Sequence, residues 1–281
     1  MTLTVLDPGP LTLLQDAGRP GQAALGVSPS GALDIEAYAR GNLMVGNPAG
    51  AAALEVLFGP AEFRAEVPAV VVVTGAGGAV EVNGRHVHGV LQLAAGDVLR
   101  LGRAEAGLRY YVCVRGGLEG ERELGSLSTD TLSGLGPVPL RRGDLLRFGS
   151  AQGAAGFPPS RRASNGPHAV RILEGPRRDW FTAESWQRLI AGTWSVTAES
   201  NRVGLRLDGV PMERSRTGEL PTEGMVAGAI QVPPSGLPVV FLADHPVTGG
   251  YPVIGVVHSA DLSILAQAAP GQRVRFLGGG R

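Results

Sequence analysis

The stretch that decides the predicted fold is Glu223–Pro252, which reads EGMVAGAIQVPPSGLPVVFLADHPVTGGYP. It contains two apolar segments with the composition of β-strands, Ala229–Val232 and Pro238–Ala243. Pro233–Gly236 separates them and carries the proline and glycine typical of a turn. The stretch therefore predicts a β-hairpin.

A polar loop, Asp244–Pro252, follows the hairpin directly. It brings a carboxylate, an imidazole, a hydroxyl and a phenol together with the pair Gly249-Gly250, which permits positive φ and close approach to the backbone. Loops at strand ends are frequent places for binding and catalysis. The same residue types also form plain tight turns, so both interpretations stay open at this point.

The composition favours a mainly β protein with a hydrophobic core. The 281 residues include 43 glycines and 21 prolines, and 43% are hydrophobic. The 25 acidic residues balance the 25 basic ones, so we expect neither a nucleic acid nor an anionic membrane as partner. No signal peptide and no apolar run of about 20 residues is visible, so a cytoplasmic protein is expected.

The chain contains no lysine, since all 25 basic residues are arginine. A phosphate-binding P-loop needs a lysine to reach the β- and γ-phosphates, so this nucleotide site is excluded here. Schiff-base chemistry through lysine is excluded for the same reason. So is the attachment of biotin to a lysine side chain of this chain.

No metal or disulfide site is predicted. Cys113 is the sole cysteine and lies in the apolar run Tyr110–Val114, which indicates a small core residue. His86 and His88 share one face of a hairpin predicted around Asn83-Gly84. No third ligand follows them nearby, so we predict no metal there.

Other polar residues receive structural interpretations from the sequence. Asp16 and Arg19 are predicted to form a surface ion contact. Glu55 interrupts an apolar strand, so it needs a buried partner or faces a cleft. The hydroxyl-rich segment Gly125–Asp130 has no G-x-S-x-G motif and is predicted to be an ordinary turn. Asn42 lies near the end of a predicted helix and is expected to cap or turn.

The chain divides into two predicted halves. Residues 1–150 are predicted to form an N-terminal β domain with one helix, 151–168 a linker and 169–281 a C-terminal β domain. Residues 143–148 resemble 271–276, which suggests duplication of one β unit. The predicted helices are Ala32–Val45, Thr182–Ala191 with Thr182 as N-cap, and Ser259–Ala268.

The order and spacing of several short motifs resemble the allophanate hydrolase subunit 2 family. This is the KipA-like group, which includes the C subunit of 5-oxoprolinase and the second half of the urea carboxylase carboxyltransferase domain. The resemblance spans nearly the whole chain. Its marks are Leu14–Arg19, Gly31–Asp34, Asn42–Asn47, Leu54-Glu55, Gly59-Pro60, Gly125-Ser126 with Ser128-Thr129, Ser200–Gly204, Glu223-Gly224, Ile230–Pro233, Ala243-Asp244 and Thr248–Pro252.

The resemblance implies two cyclophilin-like β-barrel domains with a few short helices. It also implies a KipI-like partner subunit with a shared site. Three activities follow as expectations. The first is that of the C subunit of an ATP-dependent 5-oxoprolinase, which opens 5-oxoproline to glutamate together with a third oxoprolinase subunit. The second is transfer of a carboxyl group from carboxybiotin, held on a separate carrier, to urea or a similar small amide. The third is a non-enzymatic regulator that binds a kinase inhibitor.

Site residues follow from family position and residue type. Asp244 and Glu223 are the candidate catalytic bases, because chemistry on an amide needs a base near nitrogen. Arg19 and Arg202 are candidates for carboxylate binding. The remaining candidates for contact with substrate are Gln231, Thr248, Gly249, Gly250, Tyr251, Asp16, Asn42 and Glu55.

Overall fold

The computed structural model describes residues 1–150, 153–156, 165–216, 218 and 220–278. The chain divides into two units. The first comprises Met1–Arg19, Ser30–Asp130 and Gly134–Ser164, and the second comprises Pro20–Pro29, Thr131–Ser133 and Asn165–Arg281. Most of the predicted linker lies outside the described residues, so the predicted domain boundaries stay a prediction.

The first unit is built from short strands and one helix, as the many turn residues of the sequence favour. The helix is α1 (Ile35–Met44). The strands are β1 (Thr2–Asp7), β2 (Thr12–Gln15), β3 (Ala53–Leu57), β4 (Ala61–Ala65), β5 (Ala69–Gly77), β6 (Val80–Val82), β7 (Arg85–His86), β8 (Val90–Leu93), β9 (Val98–Leu101), β10 (Ala106–Val114), β11 (Leu118–Glu119) and β12 (Leu145–Phe148).

These strands form two antiparallel sheets. One has seven strands in the order β11-β12-β1-β4-β9-β6-β7, and the other has five in the order β2-β3-β10-β5-β8. Alternating residues of both sheets contribute to one apolar core, which includes Leu3, Phe63 and Leu99 from the first sheet and Leu54 and Tyr110 from the second. This core holds the unit together through burial of apolar surface.

Helix α1 packs against β5 and β10 of the five-stranded sheet. Its N-cap is Asp34, whose carboxylate accepts a hydrogen bond from the Ala37 amide, so the helix begins at Ile35 rather than at the predicted Ala32. A Cβ on Gly41 would lie 2.6 Å from Cys113 Sγ, so glycine permits this close approach. Cys113 is a buried core residue, as predicted, and burial raises the pKa of its thiol to about 12.

The second unit contains nine strands and two α-helices among the described residues. The helices are α2 (Ala183–Ala191) and α3 (Leu262–Ala266). The strands are β13 (His168–Glu174), β14 (Trp194–Val196), β15 (Gly204–Asp208), β16 (Glu223–Gly224), β17 (Ala229–Gln231), β18 (Val239–Phe241), β19 (Thr248–Gly249), β20 (Val253–Val257) and β21 (Arg273–Gly278).

Seven of these strands close a barrel in the order β13-β20-β17-β18-β15-β14-β21. Closure is made by β13 and β21, which pair in parallel, whereas the other pairs of the barrel are antiparallel. Closing a sheet removes its edges, and inward-facing apolar side chains fill the interior. Strands β16 and β19 form a separate two-stranded ribbon.

The predicted mainly β class is confirmed. The predicted hairpin is β17–β18, and the Asn83-Gly84 turn has φ values of 51° and 76°, as a type I′ turn requires. Thr182 caps α2 as predicted, through a hydrogen bond from the Ser185 amide. The predicted helix Ser259–Ala268 is shorter, a 3₁₀ turn followed by α3. No helix in the described part of the chain is long and apolar enough to cross a membrane.

Candidate functional site

The predicted site residues fall into two groups, one in each unit. The first unit holds Asp16, Arg19, Asn42 and Glu55. The second unit holds Arg202, Glu223, Gln231, Asp244 and the segment 248–251. The structure therefore brings the polar loop that follows the β17–β18 hairpin together with Arg202, Glu223 and Gln231.

Arg202 and Asp244 form a buried ion pair. The Arg202 Nε and Nη2 atoms lie 2.9 Å from Oδ2 and Oδ1 of Asp244, respectively. Asp244 is fully buried, and its Oδ2 also accepts hydrogen bonds from the Thr131 amide at 2.9 Å and the Thr131 hydroxyl at 2.7 Å. This bidentate arrangement is the strong form of a charge-assisted pair. It fixes the start of the polar loop against the barrel.

The hydrogen bonds between Arg202 and Asp244 constrain the roles predicted for these two residues. A catalytic base must have a lone pair directed at the proton it removes. Both carboxylate oxygens of Asp244 accept hydrogen bonds from Arg202, so this contact holds the carboxylate in place. The predicted roles of Asp244 as base and of Arg202 as carboxylate binder stay predictions.

The ribbon β16–β19 carries Glu223 and Thr248. Glu223 lies opposite Gly249, and Gly224 lies opposite Thr248. The Glu223 carboxylate forms an ion pair with Arg177 and is partly exposed. Thr248 is exposed to solvent. The ribbon thus presents a partly accessible carboxylate and an accessible hydroxyl close to the polar loop.

Gln231 holds the polar loop 244–252 in place through a hydrogen bond. Its Nε2 donates a hydrogen bond to the Tyr251 carbonyl oxygen at 3.1 Å, and the side chain is buried. A Cβ on Gly249 would lie 2.8 Å from this Nε2, so a side chain at position 249 would displace the glutamine. A side chain at position 249 would thus have to move the end of the Gln231 side chain, whereas a Cβ on Gly250 would meet nothing closer than 3.8 Å.

A cavity of about 590 Å³ opens beside the loop within the second unit. Its volume is in the range of small-molecule sites. The lining includes two aromatic rings, two prolines, a glycine and one guanidinium, from Trp180, Arg214, Pro234, Gly250, Tyr251 and Pro252. Tyr251 is 45% exposed, so its ring is available to a ligand. We call this the Tyr251 cavity.

Arg214 supplies the positive charge of the Tyr251 cavity. Its Nη2 donates to the Val232 carbonyl at 2.6 Å, and its guanidinium carbon lies 6.0 Å from the centroid of the Tyr251 ring. In the described part of the chain, no carboxylate lies within ion-pair distance of Arg214. Neither Arg214 nor Trp180 belongs to a recognisable sequence motif, so the sequence alone does not point to them.

The first unit holds a buried polar cluster around Asp16. Its Oδ1 accepts hydrogen bonds from the Ser126 and Ser128 hydroxyls at 2.6 and 2.7 Å. Its Oδ2 accepts from the Leu127 amide at 2.8 Å and from Arg122 at 3.0 Å. The prediction that Gly125–Asp130 is an ordinary turn is therefore wrong: both serines are fully buried and bind a carboxylate.

The predicted surface contact between Asp16 and Arg19 is also wrong. Both residues are 2% exposed, and the ion-pair partner of Asp16 is Arg122. Arg19 donates to the backbone carbonyls of Ser128 and Glu123. The two side chains are buried because the turn that carries them packs against the loop that follows β11. That loop supplies most of their hydrogen-bond partners.

The environment of Asp16 lowers the pKa of its carboxyl group. Burial acts to raise the pKa of the carboxyl group, because the charged form is poorly solvated. Hydrogen bonds from Ser126, Ser128 and the amides of Leu127 and Gly18 outweigh this effect, and the pKa lies below its usual value of 3.8. Asp16 is therefore an anion that holds two segments of the first unit together.

Glu55 and Asn42 occupy other places in the first unit. Glu55 accepts from the Tyr111 hydroxyl at 2.7 Å and the Leu33 amide at 3.0 Å, and Arg109 lies 3.5 Å away, so Glu55 has the buried partner that its strand position requires. Asn42 is fully buried and donates to the Ala51 carbonyl at 2.9 Å. The predicted contact of these two residues with substrate stays a prediction.

The second unit is a closed β-barrel protein with a cavity of the size that small molecules occupy. The chain matches the protein family "Carboxyltransferase domain, subdomain A and B" over residues 25–277 and belongs to this family. The resemblance stated from the sequence is thereby confirmed.

Named relatives of this chain are components or segments of enzymes. It is 34% identical over 280 residues to the C subunit of 5-oxoprolinase from Escherichia coli, a match that covers 98% of this chain and 90% of that protein. It is 32% identical to the urea amidolyase of Saccharomyces cerevisiae, covering 96% of this chain and 16% of that protein.

A solved structure shows the same fold. The Kluyveromyces lactis urea carboxylase superposes with a TM-score of 0.89 and 26% identity, covering 99% of this chain and 27% of that chain. The chain thus spans about a quarter of the length of this structural neighbour. The fold of the described chain is therefore similar to that of one segment of this carboxylase.

Proposed function

We propose that this chain is the C subunit of an ATP-dependent 5-oxoprolinase, acting with a KipI-like subunit and a third subunit on 5-oxoproline. The observation that carries the proposal is similarity to the whole of a relative. The chain is 34% identical to the Escherichia coli C subunit of 5-oxoprolinase in a match that covers 90% of that protein, whereas the match to the yeast urea amidolyase, at 32% identity, covers 16% of that protein. The name of the first relative therefore describes the matched part, whereas the name of the second describes a protein of which the matched part is a small share.

The Tyr251 cavity is the proposed binding site within this chain. 5-Oxoproline carries a carboxylate on a small, nearly flat lactam ring. A guanidinium binds a carboxylate through paired hydrogen bonds, and Arg214 has no carboxylate partner in the described part of the chain. The rings of Tyr251 and Trp180 provide apolar faces for the lactam.

Between the two predicted bases, the geometry favours Glu223. It is partly exposed and sits on the ribbon beside the polar loop, whereas Asp244 is fully buried against Arg202. We assign the binding of the lactam amide to Thr248, an exposed residue of the same ribbon. Gln231 and Asp244 hold the loop from within the barrel.

This chain can neither form a P-loop for ATP nor carry covalently attached biotin. The chain lacks the lysine that a P-loop requires and the lysine that would carry biotin. We assign ATP to another subunit of the complex and derive no step through it. The cytoplasmic location expected from the sequence is part of this proposal.

The second candidate function is carboxyl transfer from carboxybiotin on a separate carrier to urea or a similar amide. The membership of the carboxyltransferase family and the TM-score of 0.89 to a urea carboxylase favour it. Urea has no carboxylate, so a guanidinium in the lining of the Tyr251 cavity is less well explained by this substrate than by 5-oxoproline. A purely regulatory role has no comparable support.

An omission assay tests the proposal. The chain is co-expressed with its KipI-like partner and the third subunit, and glutamate release from 5-oxoproline is measured with ATP. We expect activity from the complete complex and none when this chain is left out. An assembled complex that releases no glutamate but carboxylates urea in the presence of carboxybiotin would establish the second candidate instead.

Replacing Arg214 by Met tests the carboxylate-binding role. We expect KM for 5-oxoproline to rise about 10- to 100-fold with a smaller change in kcat, because a bidentate charged contact to the substrate is lost. Arg216→Met is the matched control, since Arg216 is exposed and pairs with Asp179 on the surface. An unchanged KM in Arg214→Met would remove Arg214 from the site.

A further inference from the structure

A second cavity, of about 660 Å³, lies within the first unit. Leu14, Leu127 and Leu146 are buried residues of its lining. Val138 and Leu145 also line it and are 68% and 65% exposed, so two large apolar side chains meet solvent at the rim of one cavity. We call this cavity and its rim the edge groove.

The edge groove lies where a sheet has an unpaired strand edge. Strand β12 pairs with β1 over Thr2↔Arg147, Leu3↔Leu146 and Thr4↔Leu145, but with β11 only over Leu118↔Phe148 and Glu119↔Arg147. Among the described strands, Leu145 therefore has a neighbour on one side only.

The backbone of Leu145 is directed at this open edge. Phe148 donates to the Met1 carbonyl, and the Asp144 carbonyl accepts from the Val5 amide. Since successive residues of a strand direct their amide and carbonyl groups to opposite sides, residues 144, 146 and 148 face β1. The amide and carbonyl of Leu145 consequently face the groove, where β11 would continue if it were longer.

The rim of the groove is acidic. Glu119, Glu121 and Glu123 all line it. The basic residue of the lining, Arg122, donates to Asp16 and to the Gly125 carbonyl, so its charge is committed to the buried cluster. Arg147 lies across from Glu119 on β12 and offsets the charge of that glutamate. The negative charge of Glu121 and Glu123 remains, and it is complementary to a basic ligand.

We propose that the edge groove is the docking site for an extended segment of a partner subunit, one that carries arginine or lysine side chains between apolar ones. Such a segment adds a strand beside Leu145, as in β-augmentation, and its main chain pairs with the outward-facing amide and carbonyl of that residue. Its apolar side chains cover Val138 and Leu145, and its basic side chains meet the glutamates. The proposal rests on the multi-subunit complex proposed above.

Titration calorimetry tests the proposal by measuring the Kd of the purified KipI-like subunit for this chain and its variants. We expect Leu145→Asp and Val138→Asp each to raise Kd by about tenfold or more, as for central interface residues. Leu173→Asp is the matched control, because Leu173 is a 59% exposed strand residue outside the groove, and its Kd should stay at the wild-type value.

A charge reversal tests the electrostatic part. Glu121→Arg should slow association and raise Kd most at low ionic strength, whereas Glu199→Arg, at an exposed glutamate of the second unit, should not. Thermal unfolding of each variant verifies that it folds.

The outcomes separate the two proposals. Wild-type chain that fails to bind the KipI-like subunit would refute the proposed complex. Wild-type binding with no loss in the groove variants would refute the edge groove alone. If the variants instead convert a wild-type dimer to monomers in light scattering, with Kd unchanged, the occupant is a second copy of this chain and the proposal is overturned.

Discussion

Asp244→Asn is expected to lower the free energy of unfolding of the second unit by about 3–5 kcal/mol, because it removes the charge that neutralises a buried guanidinium. Arg202 is 3% exposed and cannot reach water without local unfolding. The measurement is urea unfolding followed by tryptophan fluorescence. All three tryptophans, Trp180, Trp186 and Trp194, belong to the second unit, so this signal reports that unit alone.

Two further variants make this experiment decisive. Asp208→Asn removes an exposed carboxylate from the same barrel and should change the urea midpoint little. The double variant Arg202→Met with Asp244→Leu should recover much of the loss, since a buried pair replaced by apolar groups is often neutral. If Asp244→Asn matches Asp208→Asn in stability but abolishes turnover, the positioning role is refuted and the role of Asp244 as base is restored.

The local elements of the fold could be predicted from the sequence. The Asn83-Gly84 turn, the β17–β18 hairpin and the Thr182 cap depend on residues within a few positions of each other, where backbone preferences act directly. Glu55 was correctly expected to need a partner, because a lone charge in an apolar strand is costly. The closure of the barrel through parallel pairing of β13 with β21 gave no such local signal.

The polar clusters depend on residues far apart in the chain and were therefore harder to predict. Asp16 is 110 residues from Ser126, and Arg202 is 42 residues from Asp244. Spacing and periodicity do not reveal such pairs, which is why the sequence predicts a surface contact for Asp16 and an ordinary turn for Gly125–Asp130. Arg214 is a candidate binding residue only because of its position in the structure, near Tyr251 in the lining of a cavity.

Asp16→Asn is expected to destabilise the first unit by about 3 kcal/mol near neutral pH, the scale of a lost charged hydrogen-bond network. An amide offers one oxygen where the carboxylate offers two, so donors from Ser126, Ser128, Leu127 and Arg122 cannot all be satisfied. Cys113 provides the measurement. It is buried in the first unit with its pKa raised, so its reaction with 4,4′-dithiodipyridine reports opening of that unit.

The pH dependence distinguishes this role of Asp16 from a simple packing defect. Because the pKa of Asp16 is lowered by folding, its stabilisation is fully present above the unfolded value of 3.8 and is lost as pH falls through the lower folded pKa. The stability difference between wild type and Asp16→Asn should thus be constant from about pH 5 to 7 and shrink below pH 3.8. Glu121→Gln, at an exposed site of the same unit, should show no such stability difference from wild type. A difference that persists unchanged in acid would mean that the carboxylate charge of Asp16 does not hold these segments together.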